Sequence, residues 1–359
     1  MKRFIMSAVF LLLAAAAHAG VHGRLMDLCG VLRVPGGDPS LLTRVRLEAS
    51  YDQDLDASWR LELGGLGTFT RAETPFSPPS SFDGQNGYDR LEWEELRSSG
   101  RALWSARAQK AFLKYAHGRW EVAAGRVPMV WGDSKFFRPT GVFRAAQPLE
   151  AFGDPPVGSD GADAQVQLAA NTALEAAGRV LRDGSVEGVV RLENRGIGVM
   201  GTPLYAYRAK SSGVGAEVAA TFKKFQLRAE GVTWKREGQK DWLVEAIGGL
   251  SLVIREFPVH LEVLKDGTGE ALGAAVSGLS PDQAYATAKV ETPRIYRVRF
   301  SPTLAKGFSR GDVMAMPGFV CEPTDHWSLG VDGMWFLGNG TGTLSALPSR
   351  MWGFVSLVF

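Results

Sequence analysis

The sequence predicts an all-β protein, a closed antiparallel transmembrane β-barrel of about 18 strands. Three observations lead there. Apolar and polar side chains alternate with period two through most of the chain. Beyond the first 19 residues no run of about 20 apolar residues occurs, so spanning helices are excluded. The polar members of the alternation are full-length charged side chains on strand after strand, which suits a water-filled lumen with the apolar face turned to lipid. A sheet in hydrocarbon must then close on itself, because every edge amide needs a partner.

The alternation sets the elements in order. Arg44, Arg46, Glu48 and Ser50 share one face of a strand whose other face carries Val45, Leu47, Ala49 and Tyr51. After the hairpin-sized turn Asp52-Gln53-Asp54-Leu55, Arg60 and Glu62 oppose Trp59, Leu61 and Leu63. The pattern continues through Glu121, Asp163, Glu175, Arg179, Arg191, Glu193, Glu217, Arg228, Glu230, Glu245 and Glu262 to Arg297, Arg299 and Asp332. Strands are expected near 24–34, 42–51, 56–68, 104–116, 119–130, 162–170, 174–182, 187–194 and 197–207. The second half adds 214–222, 225–235, 242–252, 256–264, 284–291, 294–303, 311–320, 326–337 and 350–359. The segment at 24–34 is the weakest, and those around 187–207 and 284–320 leave about 14 or 16 strands open as alternatives. In 105–115, Lys110 and Lys114 fall out of phase with Arg107 and Gln109: either a bulge near Lys110 restores Lys114 to the lumen, or Lys110 snorkels.

Residues 1–19 read as a cleaved signal peptide, with Lys2 and Arg3 ahead of an apolar stretch and Ala17-His18-Ala19 before Gly20. Residues 20–359 then form a single barrel. Removing the leader takes two of the 40 basic residues and none of the 38 acidic ones, leaving a neutral chain. Such a chain carries no electrostatic footprint for nucleic acid. The 43 Gly, 19 Phe, 10 Trp and 7 Tyr suit many short strands with aromatic belts. Cys29 and Cys321 are the only cysteines, and two residues establish no framework.

Short turns near 117–118, 223–224 and 256 alternate with long links at 69–103, 131–161, 265–283 and 338–349, as in barrels with short turns on one side and long loops outside. The link at 131–161 carries Asp133, Lys135, Arg138, Phe143 and Arg144, a candidate constriction loop; the alternative is a solvated loop whose charges do nothing specific. The candidate lumen lining comprises Arg44, Arg46, Glu48, Arg60, Glu62, Arg107, Glu121, Arg228, Glu230, Glu262, Arg297, Arg299 and Asp332. These charges either network with one another and narrow the lumen or stand as separate ladders that orient a solute. Arg44-Arg46 and Arg297-Arg299 would meet if the first and late strands adjoin at closure, favouring an acidic solute there. Histidines 22, 117, 260 and 326 make no triad spacing, so no catalytic residues, metal ligands or cofactor are expected and the protein is not read as an enzyme.

The segment Gly125-Arg126-Val127-Pro128-Met129-Val130-Trp131-Gly132, with Pro139 beyond it, resembles one in porin-like outer-membrane families, including channels similar to alginate-export barrels. Leu261-Glu262 followed by Asp266-Gly267-Thr268-Gly269 is similar to their later strand-to-loop segment. Those families place Gln after the Arg, where this chain has Val127. The closing stretch 350–359 likewise resembles the last strand of outer-membrane barrels, where a terminal aromatic, here Phe359, is read by the assembly machinery. The resemblance implies a Gram-negative outer-membrane location, with lipid, assembly machinery and a small hydrophilic solute as partners. Passive passage of small hydrophilic or charged solutes is the expected function. A non-transporting structural or adhesive barrel with a plugged lumen is the alternative.

Overall fold

The computed structural model describes residues 21–33, 39–72, 94–99, 101–129, 143, 158–181, 183–196, 198–208, 210–267, 283–293, 296–308, 313–337 and 349–358. The leader, Asp133, Lys135, Arg138, Arg144 and Phe359 lie outside these residues. The strand segments are β1 (Val21–Arg33), β2 (Ser40–Asp54), β3 (Trp59–Ala72), β4 (Glu94–Ser99), β5 (Ala102–His117), β6 (Trp120–Val127) and β7 (Ser159–Ala169). There follow β8 (Thr172–Val180), β9 (Val186–Arg195), β10 (Val199–Arg208), β11 (Ser211–Phe222), β12 (Phe225–Arg236), β13 (Trp242–Ile254) and β14 (Phe257–Asp266). The last are β15 (Gln283–Val290), β16 (Val298–Phe300), β17 (Thr303–Gly307), β18 (Val313–Met316), β19 (Gly318–Cys321), β20 (Trp327–Leu337) and β21 (Ser349–Val358).

These 21 segments make 18 staves, because three staves are each built from two pieces. β4 pairs with the upper half of β5 and β6 with its lower half, so both lie on one side of it. Pro302 separates β16 from β17 and Pro317 separates β18 from β19, since proline donates no ladder hydrogen bond. The register with the neighbouring strands is unchanged across both breaks. β1 pairs with β21 from Arg24↔Val358 to Arg33↔Ser349, and the sheet closes. All ladders are antiparallel.

The weak first segment is thus a full stave, and none of the uncertain ones is lost. The loops are shorter than the sequence pattern suggested. β3 continues to Ala72, β5 begins at Ala102 and β7 begins at Ser159, so the wall reaches into the links expected at 69–103 and 131–161. Long alternating strands are stable beyond their polar punctuation because each added rung satisfies two more backbone groups.

Burial follows the alternation. Val45, Leu63, Leu113, Val190, Val218 and Val355 are exposed on the outside, while Met26, Leu28, Arg46, Thr70, Glu217 and Ser356 are buried on the inside. Aromatics ring the outer face in two bands: Trp59, Trp120, Phe225, Phe257 and Trp327 toward the end that carries both termini, and Phe69, Trp104, Tyr205, Trp242 and Trp335 toward the far end. Such girdles mark the two interfaces of a membrane. In β5 the register shifts between Gly64↔Lys110 and Gly65↔Ala108, leaving Gln109 as the extra residue of a bulge. The bulge, and not snorkelling, resolves the phase conflict. It brings both Lys110 and Lys114 to the inner face, where they meet Glu62 at 2.9 Å and Glu121 at 2.6 Å.

Candidate functional site: the lumen lining

Inward apolar positions gather mostly toward the far end, in three clusters. One joins Phe112, Ala177, Leu204, Val232 and Trp234 to Phe143; a second holds Ile247, Leu264, Tyr285, Met314 and Met334; a third holds Met26, Leu28, Leu42, Trp352 and Phe354. Phe143 belongs to the link between β6 and β7, yet it is buried against the inner wall and stacks under the Arg179 guanidinium at 5.6 Å. That link therefore enters the lumen at this residue. Close packing at the closure seam rests on Gly30, where an added Cβ would stand 2.5 Å from the Trp352 ring. Trp352 in turn lies 5.5 Å beneath the guanidinium of Arg44.

Elsewhere the inner wall is ionic, from the Arg179, Glu187 and Arg208 group at the far end downward, and its charges pair with near neighbours along the sheet. Arg191 reaches Glu175 at 2.6 Å and Glu217 at 3.9 Å, bridging strands on both sides of β9. Arg179 contacts Glu187 at 2.7 Å, with Arg208 3.7 Å from the other oxygen. Arg126 and Asp160, on the paired strands β6 and β7, are both buried and joined at 3.0 Å. Arg228 on β12 meets Glu262 on β14 at 2.5 Å, passing over Gly249 of β13, where the absence of a side chain leaves room. Glu217 and Glu230 stand directly opposite each other on β11 and β12.

The candidate lining residues fall as follows. Arg46 pairs with Glu48 at 2.5 Å, and Arg44 donates to Thr70 at 2.9 Å. Arg60 pairs with Asp52 at 2.7 Å and lies 3.4 Å from Glu62, near the end carrying the termini. Arg107 occupies β5 opposite Leu66. Glu121 pairs with Lys114, and Asp332 accepts the Gly333 N–H at 2.7 Å. Arg44-Arg46 and Arg297-Arg299 do not come together. β2 and β16 are separated by β1, β21, β20 and β19, and Arg44 lies toward the far end while Arg297 sits in the turn at the opposite end. Cys29 and Cys321 are free, on strands separated by β20 and β21.

Arg297 and Arg299 instead share with Arg24 and Lys289 a cavity of about 810 Å³ at the termini end, which also receives Glu322 and Asp332. Sequence reasoning missed Arg24, Glu187, Arg208 and Lys289. Arg24 carried the right signal, even-numbered phase with Arg44 across the hairpin, but lay in the segment judged weakest. Beyond the spans, burial raises and Lys289, hydrogen-bonded at 2.7 Å, lowers the pKa of Glu291, and the net result is below the usual glutamate range. Asp183 is likewise held low by hydrogen bonds from the Ser185 hydroxyl and amide.

A closed antiparallel barrel of 18 staves with an apolar girdled exterior and an ionic interior is the architecture of outer-membrane porins. No family model and no curated protein matches this sequence. Solved structures do match in fold. The Pseudomonas aeruginosa protein OccK7 (OpdD) superposes with TM-score 0.59 at 10% identity, covering 95% of this chain and 98% of that one. P. aeruginosa OccD3 (OpdP) gives 0.57 at 12% identity over 95% and 91%. P. aeruginosa OpdK, in a structure with vanillate, gives 0.57 at 11% identity over 94% and 98%. At these identities the likeness is one of fold.

Proposed function

We propose that this chain is an outer-membrane channel for the passive passage of small hydrophilic or charged solutes. The observation that carries the reading is the combination of a lipid-compatible exterior with an interior whose mid-height positions are ionic on stave after stave. Paired charge of this density suits the inner wall of a polar lumen better than an apolar core. The fold shared with OccK7 and OpdK supports the same reading and the Gram-negative outer-membrane location. Lipid and the barrel assembly machinery are the partners that follow, the latter through the closing strand. At the termini end, Arg24, Lys289, Arg297 and Arg299 outnumber Glu322, Asp325 and Asp332 in the cavity lining and incline it toward anions. Reversal potentials of the reconstituted protein under a salt gradient test this: R297A/R299A should lose anion preference, and an unchanged reversal potential would contradict it.

A second reading has its own observation. The inward apolar clusters, including Phe143, are almost fully buried, so the far half of the lumen is filled where they lie. A barrel plugged at that level would serve attachment or envelope structure. Single-channel conductance separates the two.

A further inference from the structure

Two neighbouring hairpin tips at the termini end carry charge at a conformational cost. The rungs Phe222↔Phe225 and Ile254↔Phe257 close β11–β12 and β13–β14, so Lys223-Lys224 and Arg255-Glu256 are two-residue loops. Their first residues, Lys223 and Arg255, have φ of 44° and 59°. Hairpins this short take Gly or Asn where φ is positive, because a Cβ crowds the backbone there. The β5–β6 tip at the same end follows that rule, with Gly118 at φ 61°. A basic side chain at both strained positions points to a use for the charge.

These cations differ from those of the lumen. Arg179, Arg191 and Arg228 each meet a carboxylate. Lys223, Lys224 and Arg255 are exposed and enter no ion pair or side-chain hydrogen bond among the described residues. The Val253 N–H donates to the Lys224 carbonyl at 3.1 Å, which ties the two tips side by side. Of the four tip residues three are basic, and Glu256 is the acid. Directly beneath them Phe222, Phe225, Ile254 and Phe257 are exposed on the outer face, and the rings of Phe222 and Phe225 stack at 5.2 Å. Each tip is thus a cation standing on an apolar pair, at the height of the aromatic band. That arrangement matches the boundary where lipid phosphate gives way to acyl chain.

We propose that the paired tips of β11–β12 and β13–β14 bind the headgroup of an anionic phospholipid in the leaflet on the termini side. Lys223, Lys224 and Arg255 meet its phosphate, and its acyl chains lie on the apolar pairs below. The proposal rests on the reading that the outer face meets lipid. Charge complementarity selects the occupant. Three bases against one acid favour a headgroup with net negative charge over a zwitterionic one, whose ammonium group meets the same cations. A soluble acidic partner would use the charge and leave the apolar pairs without a role.

The full mature chain in mild detergent, mixed with equal amounts of phosphatidylglycerol and phosphatidylcholine, tests this by mass spectrometry of the intact protein with its retained lipid. A Lys or Arg near an anionic lipid surface is worth about five-fold, so the wild type is expected to keep phosphatidylglycerol over phosphatidylcholine by at least about five-fold. K223G/K224S/R255G should bring the two lipids to parity, while K223R/K224R/R255K should keep the preference, and high salt should weaken it. K223G/R255G, which relieves the backbone, should raise the urea midpoint in phosphatidylcholine vesicles. Heat-modifiable migration reports the barrel separately: a chain without it fails the membrane reading, whereas a barrel without lipid preference fails this proposal alone. Equal retention of both lipids by the wild type, or an undiminished preference in K223G/K224S/R255G, would overturn the proposal. So would capture of poly-glutamate in place of lipid, or a lower urea midpoint in K223G/R255G, since the charge would then carry no conformational cost.

Discussion

Replacing Glu262 by Ala removes a carboxylate partner from a guanidinium that the barrel holds inside its wall. Arg228 and Glu262 have side chains only 3% and 2% exposed, and they meet at 2.5 Å across the rung Arg228↔Gly249↔Glu262. Little solvent is available to take over the lost interaction. Breaking one side of a buried pair costs about 3–5 kcal/mol, because the remaining charge keeps its desolvation penalty. At about 1.4 kcal/mol per decade, that is a loss of roughly two to four decades in the folding equilibrium. The double variant R228M/E262L removes both charges and should recover most of the loss, since replacing a whole pair by apolar groups is often neutral. Urea unfolding in lipid vesicles, followed by emission of the 10 tryptophans, reads these changes directly. A loss below about 1 kcal/mol for E262A would refute the reasoning, because that is the magnitude of a solvated surface pair.

Gly249→Val should act on the same bridge from between, since its Cβ would stand 2.8 Å from Arg228 Nε; a loss of about 1–3 kcal/mol in the same assay is expected. Gly30→Val should displace the Trp352 ring from beneath Arg44, seen as a shift in tryptophan emission and a loss of similar size. Deleting Gln109 should remove the bulge without changing which residues face inward, because Ala108 and Lys110 already pair with Gly65 and Gly64; Lys110 and Lys114 keep Glu62 and Glu121, and a heat-modifiable barrel is the expected outcome. Glu291 has a pKa below its ordinary value of 4.5, so its contribution to stability is present above that value and is lost as pH falls through its lower folded value; in Lys289→Met that acid-side dependence should shrink.

The staves were legible in the sequence because period two is a local property. Arg44 to Ser50 against Val45 to Tyr51 states both the strand and its two faces, and the tight turns at 223–224 and 255–256 state the register. Breaks that change no register were harder to see: Pro302 and Pro317 interrupt two staves, yet the neighbouring pairings continue across them. The Gln109 bulge was visible as a phase conflict but its resolution needed the partner strand. Site geometry was the least legible. The Arg228–Glu262 contact spans 34 residues and depends on a glycine in the intervening strand, a coincidence of three strands that no single segment records. The expected meeting of Arg44 with Arg299 failed for a related reason. Closure order and strand direction, not strand identity, decide which inward charges share a height.

Conductance of the mature protein in planar bilayers, recorded across several salts after insertion has been verified, tests the central claim most directly. Discrete single-channel steps, with an anion preference that R297A/R299A abolishes, are the predicted result. Verified insertion with no ion flux in any salt would contradict the channel and leave a plugged barrel.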